Sequence, residues 1–187
     1  MIGLLTVGFS NTTMESQAFK KVSDADPERN PRVTVVDGAV GGRDAIELSN
    51  RDVTRYWDEL QGRLDRANVA PHQVQVIWLK EVVAGDTLPF PQDAERFRDA
   101  LIKVVDTLKD SFPNLRLIYV SSRIYGGYAL RNGSQEPWAY GDGLTWNLAD
   151  YVETDQMHPG PLATAKVASA LSSFMKTDPT AKTWYLK

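Results

Sequence analysis

The segment IGLLTVGFSN, residues 2–11, opens the chain with a short apolar run that ends in a glycine and a polar loop. An apolar run of this length predicts a buried strand. A helical pattern follows near residues 13–22, so the segment predicts a strand, a tight loop and a helix. This unit decides the fold because the same alternation of short apolar runs and helical spacing continues along the chain.

Three further runs predict the other strands of a sheet, at Arg32–Val36, Val74–Leu79 and Leu115–Val120. Helical stripes lie between them, one formed by Val53, Tyr56, Trp57, Leu60, Leu64 and Ala67, and one in a long helix near Gln92–Ser111. A last helix is expected over Gly160–Met175, followed by a polar tail at Lys176–Lys187. The order predicts an α/β fold, a three-layer sandwich with a mostly parallel, flavodoxin-like sheet, in one domain over residues 1–187.

The composition is that of a globular protein and excludes several functional classes. The 187 residues are 42% hydrophobic and 24% charged, with a net charge of −3. Lys and Arg form no block interleaved with aromatic residues, so we expect no nucleic acid and no anionic membrane surface as a partner. The chain has no cysteine, and its two histidines are His72 and His158. We therefore expect no disulfide, no Cys nucleophile, no metal site and no cofactor.

The apolar start of the chain, Met1–Val7, is too short for a membrane span or a signal peptide and lacks a basic flank. We expect a soluble protein without a membrane span. Secretion after removal of a signal peptide stays open, and so do the compartment and the oligomeric state.

Polar and glycine residues follow each predicted strand: Ser10, Gly41-Gly42, Lys80-Glu81 and Ser121-Ser122-Arg123. In a parallel sheet these positions meet at the carboxyl edge, where ligands bind. Ser10 stands between a strand and a helix, where the helix amino terminus favours developing negative charge and suits a nucleophile. The same position suits an ordinary helix N-cap, and Ser10 alone does not separate the two interpretations.

A second candidate group lies far along the chain, at Asp155-Gln156-Met157-His158-Pro159. The two-residue spacing lets a turn bring the Asp155 carboxylate to one imidazole nitrogen of His158, while the other nitrogen faces a nucleophile. Pro159 suits the first turn of the next helix. Taken alone, His158 is equally typical of a surface histidine that precedes a helix.

Taken together, a serine after the first strand and D-x-x-H-P before the last helix resemble the arrangement of the SGNH (GDSL-like) hydrolases. The segment DGAVGGRDA, residues 37–45, resembles the N-D-A-V-A-G-R-S-A segment of fungal rhamnogalacturonan acetylesterases, members of that superfamily. The runs G-x-S-N-T, G-A-x-G-G and S-S-R-I-Y-x-G-Y also resemble uncharacterised bacterial SGNH-like proteins. The resemblance implies the SGNH hydrolase fold, a triad of Ser10, His158 and Asp155, and an oxyanion-hole glycine at Gly42.

Two motifs depart from the family pattern. The usual G-D-S block is Gly8-Phe9-Ser10 here, and the missing Asp is not the triad acid. The G-x-N-D block, whose Asn donates to the oxyanion, is replaced by Leu79-Lys80-Glu81-Val82. We expect an oxyanion hole made of the N–H groups of Ser10 and Gly42, with Lys80 as an added donor or Glu81 at the Asn position. One missing donor typically lowers kcat about 10²–10³-fold.

The resemblance thus predicts an enzyme, a serine esterase that hydrolyses O-acetyl or short-chain carboxylic esters through an acyl-enzyme. A small-molecule or carbohydrate ester is the expected substrate. Arg123 is a candidate for holding a substrate carboxylate or sugar, with a structural role as its alternative. Trp138, Tyr140 and Trp146 are candidates for stacking on a sugar ring, with packing as theirs.

Two other functions fit parts of the sequence. The first is a non-catalytic carbohydrate-binding protein on the SGNH fold, in which the altered third block has lost its role. The second is a flavodoxin-like nucleotide-binding domain, in which residues 8–13, GFSNTT, form a hydroxyl-rich phosphate loop. The second interpretation leaves D-x-x-H-P unexplained.

Overall fold

Strand β1 (Ile2–Gly8) is buried along its whole length and lies inside a four-stranded parallel sheet of order β2-β1-β3-β4. The computed structural model describes residues 1–85, 88–89, 91–121, 123–124, 143–144 and 158–187, with 123–124 and 143–144 described by their backbone only. The other strands of this sheet are β2 (Val33–Asp37), β3 (Val74–Lys80) and β4 (Leu117–Val120). A separate parallel pair joins β5 (Arg123–Ile124) to β6 (Gly143–Leu144).

Helices connect the strands and cover both faces of the sheet. They are α1 (Ser10–Asp24), α2 (Ala45–Leu48), α3 (Thr54–Arg66), α4 (Gln92–Ser111), α5 (Pro161–Thr177) and α6 (Lys182–Tyr185), with a 3₁₀ turn at Pro71–Gln73. The predicted α/β class, a parallel sheet between two helical layers, is confirmed. None of the described helices is both long enough and apolar enough to cross a membrane.

Two apolar clusters lie on opposite faces of the sheet. The larger cluster joins Leu5, Val7, Val36, Ile77 and Leu79 of the sheet to the buried stripes of α2, α3 and α4. The smaller cluster joins Ile2, Leu4, Val33, Val35 and Val76 to Phe19 of α1 and to buried residues of α5 and α6. The periodicity that predicted α3 and α4 therefore reports their contact with the sheet.

The prediction of a polar tail at Lys176–Lys187 is wrong. Helix α5 continues to Thr177, and the short helix α6 packs its Tyr185 into the smaller cluster with no exposed surface. The Tyr185 hydroxyl donates to Ser23 Oγ at 2.9 Å, and Lys187 N donates to Glu28 O. Two buried residues four positions apart, Ala181 and Tyr185, are too few to raise the average hydrophobicity of this polar segment, which is why the sequence pattern did not show them.

Candidate active site

Ser10 is the first residue of α1 and not its N-cap. Phe9 occupies the cap position with an extended backbone, and its side chain makes no capping hydrogen bond. The alternative that Ser10 is an ordinary N-cap is therefore wrong. Gly8, just before this turn, lies very close to the backbone of Lys80. A Cβ at Gly8 would lie 2.1 Å from the carbonyl oxygen of Lys80. A glycine is thus required where β1 passes β3 and turns into the helix.

The structure brings Ser10 and His158 together from positions 148 residues apart. Ser10 Oγ lies 2.9 Å from His158 Nε2, and both residues are half-buried. His158 stands just before α5, with Pro159 and Gly160 between them. If Nδ1 carries the imidazole proton, Nε2 accepts from the serine hydroxyl, which is the contact that a general base needs.

The glycine loop after β2 lies beside Ser10. Val40 N donates to Gly8 O at 2.9 Å, which ties this loop to the end of β1. A Cβ at Gly41 would lie 3.5 Å from the Ser10 Cβ. Gly42 has a φ of +74°, a left-handed conformation that favours glycine, and no atom of the described residues lies within 4 Å of the position where its Cβ would be. Within the described part of the chain, the space beside the Gly42 backbone is therefore open.

Asp44 ties the loop after β2 to the loop after β3. Its Oδ1 accepts from Ile46 N at 3.0 Å and from Glu47 N at 3.2 Å, which caps α2. Its Oδ2 accepts from Ala84 N at 3.0 Å, and the neighbouring Ala45 N donates to Val82 O. The two loops that flank Ser10 are therefore held together by direct hydrogen bonds.

Lys80 and Glu81 end β3 at the same edge, and both side chains are buried. Lys80 Nζ lies 2.6 and 2.5 Å from the two carboxylate oxygens of Glu15, and the Lys80 side chain is only 4% exposed. Glu81 Oε2 accepts from Val82 N at 3.0 Å. The contribution of Lys80 or Glu81 to an oxyanion hole stays a prediction.

Burial also affects the acid that ends β2. It raises the pKa of Asp37, against the opposing effect of the Arg63 guanidinium, whose Nη1 lies 3.1 Å from Asp37 Oδ2. Asp37 Oδ1 accepts from Ala39 N at 3.2 Å. Asp37 therefore anchors the start of the glycine loop.

The remaining predicted site residues fall largely outside the described part of the chain. Asp155, Trp138, Tyr140 and Trp146 lie in segments that are not described, and Arg123 is described by its backbone alone, in β5. Their predicted roles stay predictions.

Sequence reasoning missed two residues that follow Ser10 on α1, namely Thr12 and Glu15, which are both buried. The available signal was their spacing with Ser16 and Phe19, which places all four on one helical face.

No profile of a known protein family and no curated protein sequence matches the chain. Among solved structures, the chain is similar to a gut microbial diltiazem-metabolizing enzyme, with a TM-score of 0.53 and 12% identity over 92% of this chain and 46% of that chain. It is also similar to the periplasmic domain of a lipopolysaccharide acetyltransferase from Salmonella ser. Paratyphi A, with a TM-score of 0.41 and 14% identity over 66% of this chain and 46% of that chain. The chain thus spans less than half the length of either, and at these identities the likeness concerns the fold alone.

Proposed function

We propose that the chain is a serine esterase of the SGNH type that hydrolyses carboxylic esters through an acyl-enzyme. The observation that carries this proposal is the 2.9 Å contact between Ser10 Oγ and His158 Nε2 at the carboxyl edge of the sheet. A hydroxyl bonded to an imidazole at the start of a helix is the arrangement that activates a serine for acyl transfer.

In the proposed reaction, Ser10 Oγ attacks the acyl carbon while its proton passes to His158 Nε2. The carbonyl oxygen becomes an oxyanion that accepts from the backbone N–H groups of Ser10 and Gly42, and the amino terminus of α1 favours its charge. The tetrahedral intermediate then collapses: the bond between the acyl carbon and the alcohol oxygen breaks, His158 gives its proton to that oxygen, and the acyl group stays bonded to Ser10 Oγ. Water cleaves that ester by the same steps, with Asp155 as the group that orients His158.

For the substrate, we propose an O-acetyl or other short-chain ester, carried by a carbohydrate or small molecule. The resemblance of residues 37–45 to carbohydrate acetylesterases supports this choice. The space beside Gly42, which is open among the described residues, suits the approach of an acyl oxygen. Trp138, Tyr140 and Trp146 would then offer faces for a sugar ring, and Arg123 a cation for its polar groups.

Hydrolysis of p-nitrophenyl acetate by wild-type protein and three single variants tests the proposal. We expect Ser10→Ala and His158→Ala each to lower kcat by roughly 10⁴-fold or more, because the triad acts as a unit. His72→Ala is the matched control, since His72 is the other histidine of the chain and is exposed on the 3₁₀ turn. Its activity should equal that of wild type.

Wild-type turnover that persists in Ser10→Ala would refute the nucleophile assignment. Absence of turnover in wild type, combined with measurable binding of acetylated oligosaccharides, would favour the non-catalytic binding protein instead.

A further inference from the structure

The first two turns of α1 contact the sheet through polar side chains. The buried polar residues between this part of α1 and the sheet, here named the polar seam, are Thr6, Thr12, Glu15, Ser16 and Lys80. Thr6 Oγ1 and Ser16 Oγ lie 2.6 Å apart. Phe19, in the third turn, is the first buried apolar residue of the helix. The position of the amino-terminal part of α1 therefore depends on directional contacts, and the side chains there add little apolar burial.

Lys80 contacts α1 at two points of this seam. Its ammonium lies within 2.6 Å of both carboxylate oxygens of Glu15, whose side chain is fully buried. Its carbonyl oxygen accepts from Thr12 Oγ1 at 2.6 Å. Thr12 and Glu15 stand two and five positions after Ser10 in α1. Lys80, the last residue of β3, therefore makes hydrogen bonds to both of the first two turns of the helix that begins with Ser10.

A buried ion pair is a poor device for stability alone. Removing two charges from water is unfavourable, and a protein with apolar residues of similar volume in their place is often as stable or more stable. What the pair supplies is geometry, since a charge-assisted hydrogen bond has a preferred distance and direction that apolar packing lacks. Because the pair joins β3 to the helix that carries Ser10, its geometry affects where Ser10 lies.

We propose that Lys80 and Glu15 are positioning residues for Ser10. Together with the Thr12 bond to the Lys80 carbonyl, their ion pair sets the height and rotation of α1, and so the placement of Ser10 Oγ relative to His158 Nε2. This inference rests on the proposed esterase function. It does not require Lys80 or Glu15 to touch the substrate.

The expected effect of losing the pair follows from this role. A misplacement of about 1 Å at a reacting group can lower the rate of catalysis about 10²-fold. Because the substrate contacts themselves are unchanged, kcat should fall while KM stays near its wild-type value. A merely structural role would lower the melting temperature and leave kcat per folded molecule unchanged.

The test uses the double variant Glu15→Leu/Lys80→Met, which replaces the pair with apolar side chains of similar volume. We expect a melting temperature at or above that of wild type, kcat for p-nitrophenyl acetate lowered about 10²-fold, and an unchanged KM. The matched control is Lys20→Met/Asp24→Leu, which removes an exposed ion pair at the far end of the same helix. Its kcat should equal that of wild type.

A second pair of variants addresses the other contact and decides the matter if the double variant does not fold. Thr12→Val removes the hydroxyl that donates to Lys80 O, and Thr12→Ser retains it. We expect kcat to fall in Thr12→Val and to recover in Thr12→Ser. Wild-type kcat in a folded double variant, or equal kcat in both Thr12 variants, would overturn the positioning role while leaving the esterase proposal intact. An inactive wild type would instead overturn the esterase proposal itself.

Discussion

On one face of the sheet, α3 and α4 pack through a continuous set of aliphatic and aromatic side chains, whereas on the other face the first two turns of α1 pack through hydroxyl groups and an ion pair. The apolar face includes Tyr56, Leu60, Leu64, Val104 and Leu108. The polar seam contributes much less apolar burial. Since apolar burial is the main favourable term in folding, the α3/α4 face is expected to supply most of the stability.

This difference indicates which contacts of the fold fix the positions of side chains closely. Apolar packing tolerates small shifts when total volume is kept, whereas short hydrogen bonds fix the distance between the groups that form them. Helix α1 carries Ser10, and it is the helix that has the directional contacts. The larger apolar cluster and the contacts that place the nucleophile therefore lie on opposite faces of one sheet.

The largest effect on stability is expected on the apolar face. Leu108 in α4 is fully buried, so Leu108→Ala should lower the free energy of unfolding by about 2–5 kcal/mol through lost burial and a residual cavity. Chemical denaturation measures this loss, and kcat per folded molecule should not change. The control is Ile102→Ala on the same helix, where Ile102 is 55% exposed and the change should stay within about 0.5 kcal/mol. Equal losses at both positions would contradict the comparison.

A smaller effect is expected where β1 meets the polar seam. Gly8→Ala places a methyl group 2.1 Å from the Lys80 carbonyl oxygen, and relief requires movement of the backbone. We expect a loss of about 1–3 kcal/mol in the free energy of unfolding, as for other overpacked positions. The matched variant is Gly62→Ala within α3, where the nearest atom is the flexible Arg66 guanidinium at 3.5 Å. That substitution should raise stability by about 0.5–1 kcal/mol. A Gly8→Ala variant as stable as wild type would show that the contact at Gly8 is not tight.

The smallest effect concerns the ion pair between Lys176 of α5 and Asp26, which lie 2.8 Å apart. The Lys176 ammonium lowers the pKa of Asp26 below its usual value of 3.8. The unfolded chain therefore takes up the proton at higher pH than the folded protein, so this stabilisation is present above pH 3.8 and is lost as pH falls through the folded pKa.

Lys176→Met should therefore be slightly less stable than wild type at pH 7, and the gap in urea midpoint should narrow toward pH 3. Lys21→Met provides the control, since Lys21 is exposed and makes no ion pair with a described residue. The difference in urea midpoint between Lys21→Met and wild type should not depend on pH between pH 7 and pH 3. A Lys176→Met gap that stayed constant from pH 7 to pH 3 would show that the pair contributes nothing measurable.

The same contrast explains how much the sequence could predict. Helices α3 and α4 were predictable because their buried faces are apolar and leave a periodic pattern. Helix α1 was expected to begin near residue 13 and begins at Ser10, because its first buried residues are polar and carry no hydrophobic signal. The loops after the strands were placed at one edge correctly, since parallel strands end together.

In the candidate site, too, one contact was predictable from the sequence and another was not. The meeting of Ser10 with His158 was anticipated from the combination of two separate motifs. The ion pair between Lys80 and Glu15 was not anticipated, because it depends on the register of β3 against β1 and on the rotation of α1. Neither quantity is encoded in a local pattern of residues.

The central claim is that Ser10 is a nucleophile activated by His158, and covalent labelling with a fluorophosphonate tests it most directly. Intact-mass analysis should show a single adduct on the wild-type protein, and peptide mapping should place it on Ser10. Ser10→Ala should take up no label, and His158→Ala should react far more slowly than wild type. Absence of an adduct on folded wild-type protein, or equal labelling of Ser10→Ala, would contradict the account.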